Sequence, residues 1–106
     1  MADSYTSTTW IVEPGMEEEF IGRWTEFARW SRDQGLAADA MLLRDVDDPT
    51  RFVSFGPWES LSVIGHWRSL PGFHERVASL NEVVVSFEPR TLRRVRDSRH
   101  GRRGRR

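Results

Sequence analysis

Apolar and polar residues alternate in several short stretches of the chain and recur at helical spacing in the segments between them. The first stretch, Thr6 to Glu13, is rich in β-branched and aromatic residues and therefore predicts a strand. Over residues 17–34, apolar side chains recur every three or four positions, at Phe20, Trp24 and Phe27. This spacing predicts a helix with one apolar face.

A hairpin is predicted next, and it leads into a second helical region. Residues 41–46 and 51–55 have the composition of two strands. Between them, residues 47–50 read Asp-Asp-Pro-Thr, which is typical of a turn because Asp side chains bond their own backbone. Gly56-Pro57 is expected to end the second of these strands. Ser60 is expected to cap the following helix, because its hydroxyl can accept an unpaired amide N–H.

Two short helical segments follow, over residues 61–70 and 73–84, and Pro71-Gly72 separates them. Residues 87–95 read as a last strand, in which Pro89 indicates an edge position or pairing that starts after it. The order β-α-β-β-α-β predicts an α+β, ferredoxin-like fold: a four-stranded antiparallel sheet with the helices on one face. The strands carry apolar residues at both even and odd positions, so both faces of the sheet are expected to be buried. We therefore predict a homodimer in which two sheets pack face to face.

Composition adds limits to this prediction. The 106 residues are expected to form one domain, and the absence of cysteine excludes disulfides and thiolate chemistry. No stretch approaches the roughly 20 apolar residues of a membrane helix, so a cytoplasmic protein is expected.

The two ends of the chain differ in charge. Residues 1–95 hold ten arginines and fifteen acids, whereas residues 96–106 hold six arginines and one acid. Residues 96–106 are therefore predicted to be a disordered arginine-rich tail on a domain formed by residues 1–95. Such a tail could bind acidic surfaces non-specifically. No interleaved aromatic residues accompany it, so a nucleic-acid partner is not expected.

Four stretches of the sequence are similar to one known family. They read VEPGMEEEF at residues 12–20, LLRD at 42–45, FVSFGPWES at 52–60 and WRSLPGF at 67–73. In these stretches the chain resembles the antibiotic biosynthesis monooxygenase family, which are dimeric α+β barrel proteins. The resemblance implies that fold and a homodimer. It leaves the activity to be argued from the site, because the family mixes oxygenases, haem-degrading enzymes and isomerases.

The best-known branch of that family oxidises phenolic or anthrone-type polyketides to quinones with neither metal nor flavin. The deprotonated substrate itself reacts with O₂, so the protein supplies an apolar pocket, a proton acceptor and donors to the oxyanion. The resemblance thus implies a monooxygenase-like enzyme without a cofactor, acting on an aromatic or polyketide-type small molecule. Trp58 matches the Trp of that branch, whereas Ser54 and Ile64 stand where the branch has Asn and Tyr.

Two alternatives stay open. Because the Asn and Tyr are missing, the chain could be a non-catalytic small-molecule-binding protein or an accessory protein of polyketide cyclisation. A weaker alternative is haem binding or degradation. Trp67 matches the helix Trp of the haem-degrading branch, but Val77 occupies the place of its iron-ligating His, and His74 lies nearly a full turn away.

The candidate substrate-binding residues are Trp58, Ser54, Trp67 and Ile64. Trp58 is either the wall of a pocket or a core aromatic that seals the junction between strand and helix. Trp67 lies on a helical apolar stripe, for which core packing is the favoured interpretation.

The candidate catalytic residues are Arg76, His66 and His74. Arg76 could stabilise an oxyanion, and histidine can act as a general base because it titrates near neutral pH. Surface pairing for Arg76, and surface or capping roles for the histidines, fit the sequence as well. No metal site is predicted, because the Asp45–Asp48 segment lacks the glycine and distal glutamate of a calcium loop.

Overall fold

The computed structural model describes residues 3–36 and 39–99, and these residues form four strands and three helices. The elements are β1 (Ser4–Val12), α1 (Glu17–Asp33), β2 (Met41–Arg44), β3 (Arg51–Trp58), α2 (Leu61–Ser69), α3 (Phe73–Asn81) and β4 (Val84–Arg93). The strands form one antiparallel sheet in the order β2-β3-β1-β4. This confirms the predicted ferredoxin-like α+β fold. Residues 100–106 of the predicted tail lie outside the described residues.

The helices cover one face of the sheet, and the even-numbered residues of β1 and β3 point towards them. Trp10 and Phe52 are buried on this face, and their rings lie 5.3 and 5.0 Å from the ring of Phe20 in α1. Leu80 of α3 and Val12 of β1 are fully buried in the same cluster. The apolar face predicted for α1 is therefore the face that forms the core.

The ends of the helices follow the signals in the sequence. Gly35 takes a left-handed φ of 76° directly after α1, which few residues other than glycine adopt. The Ser60 hydroxyl accepts a hydrogen bond from the Val63 amide at 3.2 Å and so caps α2, as predicted. The break between α2 and α3 is confirmed at Gly72, where φ is 93°. In the part of the chain that the structure describes, no helix has the length and hydropathy needed to cross a membrane.

All four strands differ in their bounds from the prediction, and the differences in β3 and β4 concern their prolines. β3 continues to Trp58, although Gly56-Pro57 was expected to end it. Pro57 lies beyond Phe55, where pairing with β2 stops, so a residue without an N–H is accommodated next to an unpaired edge. β4 is an edge strand, as predicted from Pro89, but its pairing begins before that proline.

The turn between β2 and β3 is held by aspartate side chains. One carboxylate oxygen of Asp45 accepts the amides of Asp47 and Asp48, at 2.8 and 3.1 Å. The Asp48 carboxylate accepts the hydroxyl and the amide of Thr50 at 2.7 and 3.0 Å, and these bonds lower the pKa of Asp48. The acid cluster therefore has a structural role in the turn.

The sheet face opposite the helices, called here the outer face, carries a cluster of apolar side chains beside polar ones such as Glu88 and Arg90 of β4. Odd-numbered residues of β1, β2 and β3 point to this face, together with Leu92 of β4. The larger apolar side chains among them are Tyr5, Ile11, Met41, Leu43, Val53, Phe55 and Leu92. Of these, Met41 is 56% exposed, Leu43 is 48% exposed and Leu92 is 47% exposed. A single chain thus leaves large apolar side chains of the two edge strands, β2 and β4, exposed to solvent.

Candidate functional site

A cavity of about 210 Å³ lies between α1, α2 and the helix-facing side of β1 and β3. Its walls are mainly aromatic, formed by Trp10, Trp24, Phe27, Trp58 and Trp67. The hydroxyl-bearing residues of its lining are Thr6, Thr8, Thr25, Ser31 and Ser54. Arg32 and Asp39, both exposed, also line it, so the cavity reaches solvent at the end of α1. Its volume is below the roughly 300–1,000 Å³ of most ligand pockets and favours a compact ligand.

Trp58 and Trp67 form the aromatic end of the cavity. Trp58 is the last residue of β3 and only 5% exposed, and Trp67 reaches it from α2 with 4.6 Å between ring centroids. Phe27 of α1 lies 5.6 Å from Trp67 and continues the wall. Three different elements thus contribute one ring each to a surface suited to a planar apolar ligand.

Each of three lining tryptophans donates its indole N–H to the hydroxyl of a residue on another element. The pairs are Trp10 to Ser54 at 2.9 Å, Trp58 to Thr6 at 2.9 Å, and Trp67 to Ser31 at 2.8 Å. Buried indoles usually find a partner, and here the partners all line the same cavity.

Gly56 allows the rim of the cavity to close over β3. A Cβ atom added at Gly56 would lie 2.9 Å from the Asp39 carbonyl oxygen and 3.2 Å from the Ala40 Cα. Both contacts are to backbone atoms, which cannot move aside as a flexible side chain can. Only glycine therefore permits residues 39 and 40 to approach the cavity so closely.

The structure brings three of the four predicted substrate-binding residues together. Trp58, Ser54 and Trp67 all line the cavity. Ile64 is buried at 2% exposure, but it is not among the lining residues. The two interpretations given for Trp58 are compatible, since the side chain both packs in the interior and forms a wall.

The three predicted catalytic residues lie elsewhere. The Arg76 guanidinium stacks 4.7 Å from the ring of Trp30, and Nη1 donates to the Gly72 carbonyl at 3.4 Å. His66 and His74 are exposed on α2 and α3. None of the three lines the cavity, and their catalytic roles stay predictions.

Several lining residues were not predicted from the sequence. Ser31 could have been predicted as a lining residue, because it is a polar residue on the apolar face of α1. Thr6 and Thr8 share the parity of the core residue Trp10 in β1, which places them on the helix-facing side. Arg32 and Asp39 had no such signal, because both lie at the junction between α1 and β2.

The sequence was compared with known protein families and with the curated proteins. The model of the family described as antibiotic biosynthesis monooxygenase matches residues 6–79. The match spans β1 to α3, and it includes most of the residues that line the cavity. No curated protein matched.

Solved structures with the same fold were also found. SnoaB, a cofactor-independent oxygenase from Streptomyces nogalater, is 20% identical, with a TM-score of 0.79 over 91% of this chain and 97% of that chain. A conserved protein from Methanosarcina mazei Go1 is 15% identical, with a TM-score of 0.79 over 89% and 94%. An antibiotic biosynthesis monooxygenase is 16% identical, with a TM-score of 0.76 over 88% and 99%. At such identities these structures support the fold alone.

Proposed function

We propose that this chain, which belongs to the antibiotic biosynthesis monooxygenase family, is a monooxygenase-like enzyme. It needs no cofactor and acts on an aromatic small molecule bound in the cavity under α1. The observation that supports this most directly is the wall formed by Trp58 and Trp67, with hydroxyl groups beside it. The similarity to SnoaB agrees with this proposal, but at 20% identity it supports the fold alone.

The proposed reaction converts a CH₂ carbon that lies between two aryl rings, and that is conjugated through them with a carbonyl as in anthrone, into a ketone. The carbon loses a proton to give an electron-rich enolate, which transfers electrons to O₂ and forms a C–O bond. The O–O bond of the resulting peroxide then breaks, so that one oxygen atom stays in the carbonyl. The other oxygen leaves as water with the two hydrogens of the original CH₂. The carbon is oxidised and O₂ is reduced, so no further reductant is needed.

The lining residues suggest how the protein assists this reaction. Asp39 is the only carboxylate among the described lining residues, so we assign it the role of proton acceptor. Arg32 is the only cation among them, and a positive charge near an enolate oxygen stabilises the developing anion. The aromatic wall holds the ring system while the charge develops.

A second candidate is a protein that binds the same kind of ligand without turning it over. It is favoured by the chemistry of the lining, which contains no His, Lys, Cys or Tyr among the described residues. A cavity rich in hydroxyls and indoles can hold a ligand by contact and hydrogen bonds alone.

Oxygen uptake with anthrone, measured with an oxygen electrode and no added metal or flavin, tests the proposal. We expect uptake above the spontaneous rate, with one water and one anthraquinone formed per O₂. In Trp58→Leu the rate of uptake should fall about tenfold. Losing the contacts of the Trp58 ring should raise the activation free energy by about 1.4 kcal/mol, which corresponds to a tenfold lower rate. Trp30→Leu is the matched control, because Trp30 does not line the cavity.

The outcomes separate the two candidates. Uptake that is equal in Trp58→Leu and the unchanged protein would contradict the assignment of the cavity as the site. Binding of anthrone with no uptake above the spontaneous rate would favour the second candidate.

We also propose that two copies associate through the outer face. In support, Met41, Leu43 and Leu92 are each about half exposed there, while Val53 and Phe55 between them are only partly covered. Apolar patches of this kind on a sheet are unusual in a monomer. β3 carries apolar residues at both even and odd positions, as expected for a strand that is covered on both faces of the sheet.

A further inference from the structure

The three indole–hydroxyl pairs leave the hydroxyl protons uncommitted. In each pair the oxygen of Ser54, Thr6 or Ser31 accepts the indole N–H, so its own proton is available to donate. None of these three hydroxyls donates to an acceptor within residues 3–36 and 39–99. Thr25 differs, although it lines the same cavity, because its hydroxyl donates to the Ile21 carbonyl at 2.7 Å.

From this arrangement we propose that Ser54, Thr6 and Ser31 act as hydrogen-bond donors to oxygen atoms of the ligand. The cavity then selects a ring system that carries carbonyl or oxyanion oxygens over a hydrocarbon of the same shape. This inference rests on the proposed function, since it concerns the same cavity. It adds the specificity-determining residues and the chemistry that they recognise.

The indoles set the direction of the donors. An indole N–H that occupies a lone pair of the hydroxyl oxygen limits where the O–H can point, and it also polarises the O–H. Ser54 and Ser31 are two of the three buried polar residues within the described ranges. A buried donor without an acceptor is unfavourable, so a ligand oxygen that pairs with it gains affinity over a group that cannot.

The positions of the donors indicate more than one ligand oxygen. Ser54 pairs across the sheet with Thr8, and Thr6 pairs with Gly56, so Ser54 and Thr6 are diagonal neighbours on one sheet face. Diagonal neighbours lie about 7–8 Å apart. Ser31 approaches from α1 on the opposite side of the cavity. Separated donors of this kind fit a ring system with oxygens at different edges.

The proposal is tested with two probes of nearly equal shape, 1-tetralone and tetralin, which differ by one carbonyl oxygen. Dissociation constants are measured by NMR titration of the ¹⁵N-labelled full chain. We expect the unchanged protein to bind 1-tetralone about threefold to tenfold more tightly than tetralin, as one added hydrogen bond implies. In at least one of Ser54→Ala, Thr6→Val and Ser31→Ala the preference should shrink, and in the triple variant it should disappear.

Thr25→Val is the matched control, because it removes a hydroxyl of the same lining that is already bonded to the backbone. This variant should keep the full preference for 1-tetralone. A preference lost equally in Thr25→Val would contradict the assignment to particular donors.

A second readout compares the two probes in the unchanged protein, so it does not require the hydroxyl variants to fold. The indole N–H signals of Trp10, Trp58 and Trp67 report on the bonds to the three hydroxyls, and Trp→Phe variants assign them. In the unchanged protein, 1-tetralone should shift at least one of these signals more than tetralin does at equal occupancy. Equal shifts together with equal affinities would overturn the donor proposal while leaving the cavity as a binding site. Binding of neither probe would contradict the proposed function itself, and the donor proposal with it.

Discussion

Replacing Phe20 with alanine is expected to lower the free energy of unfolding by about 3–5 kcal/mol. Phe20 is fully buried, and its ring contacts Trp10 on β1 and Phe52 on β3. The change leaves a void where α1 crosses the sheet, and the surrounding rings can fill it only in part. A domain of this size has about 5–15 kcal/mol of total stability, so the loss is a large share of it.

Urea unfolding followed by tryptophan fluorescence measures this effect, at a fixed protein concentration because association would shift the midpoint. Leu61→Ala serves as the comparison, since Leu61 is 48% exposed on α2 and should change stability by less than about 1 kcal/mol. Similar midpoints for the Phe20 and Leu61 variants would contradict the core described here.

Replacing Leu43 with glutamate is expected to weaken the proposed dimer at least about a hundredfold, which corresponds to about 2.7 kcal/mol. In a symmetric dimer the substitution appears twice, and each carboxylate would leave water for an apolar interface. Within one chain Leu43 is 48% exposed, so the monomer should tolerate the charge.

Sedimentation velocity over a range of micromolar concentrations gives the mass of the species present. Leu61→Glu is a close match in residue type and in exposure, also 48%, but it lies on α2 and away from the outer face. It should remain dimeric, whereas Leu43→Glu should sediment as a monomer. A monomeric mass for the unchanged protein at these concentrations would refute the pairing of outer faces.

The element order could be predicted because each element carries a local signal. Apolar spacing around Phe20 defined α1, Ser60 marked the start of α2, and Pro71-Gly72 marked the break between α2 and α3. The end of β3 was placed too early, at Gly56-Pro57, because the cost of a proline depends on whether the neighbouring strand extends that far. This is information about the whole sheet, and the local sequence does not contain it.

Apart from Trp67 on α2, the predicted residues that line the site lie on one strand. Ser54 and Trp58 are four residues apart in β3, so strand periodicity alone places them on the same face. The contact between Ser31 and Trp67 joins α1 to α2 across 36 positions, and it depends on how the two helices pack. Arg76 was expected near the site, but the start of α3 lies beside α1, where the guanidinium stacks on Trp30.

The position of a bound ligand would show directly whether the cavity under α1 is the substrate site. A crystal structure of the protein with 1-tetralone would supply that position. We expect the ring to lie against Trp58 and Trp67, with its carbonyl oxygen within hydrogen-bonding distance of the hydroxyl of Ser54, Thr6 or Ser31. A ligand seated on the outer face or beside the end of β4, with the cavity unchanged, would contradict it.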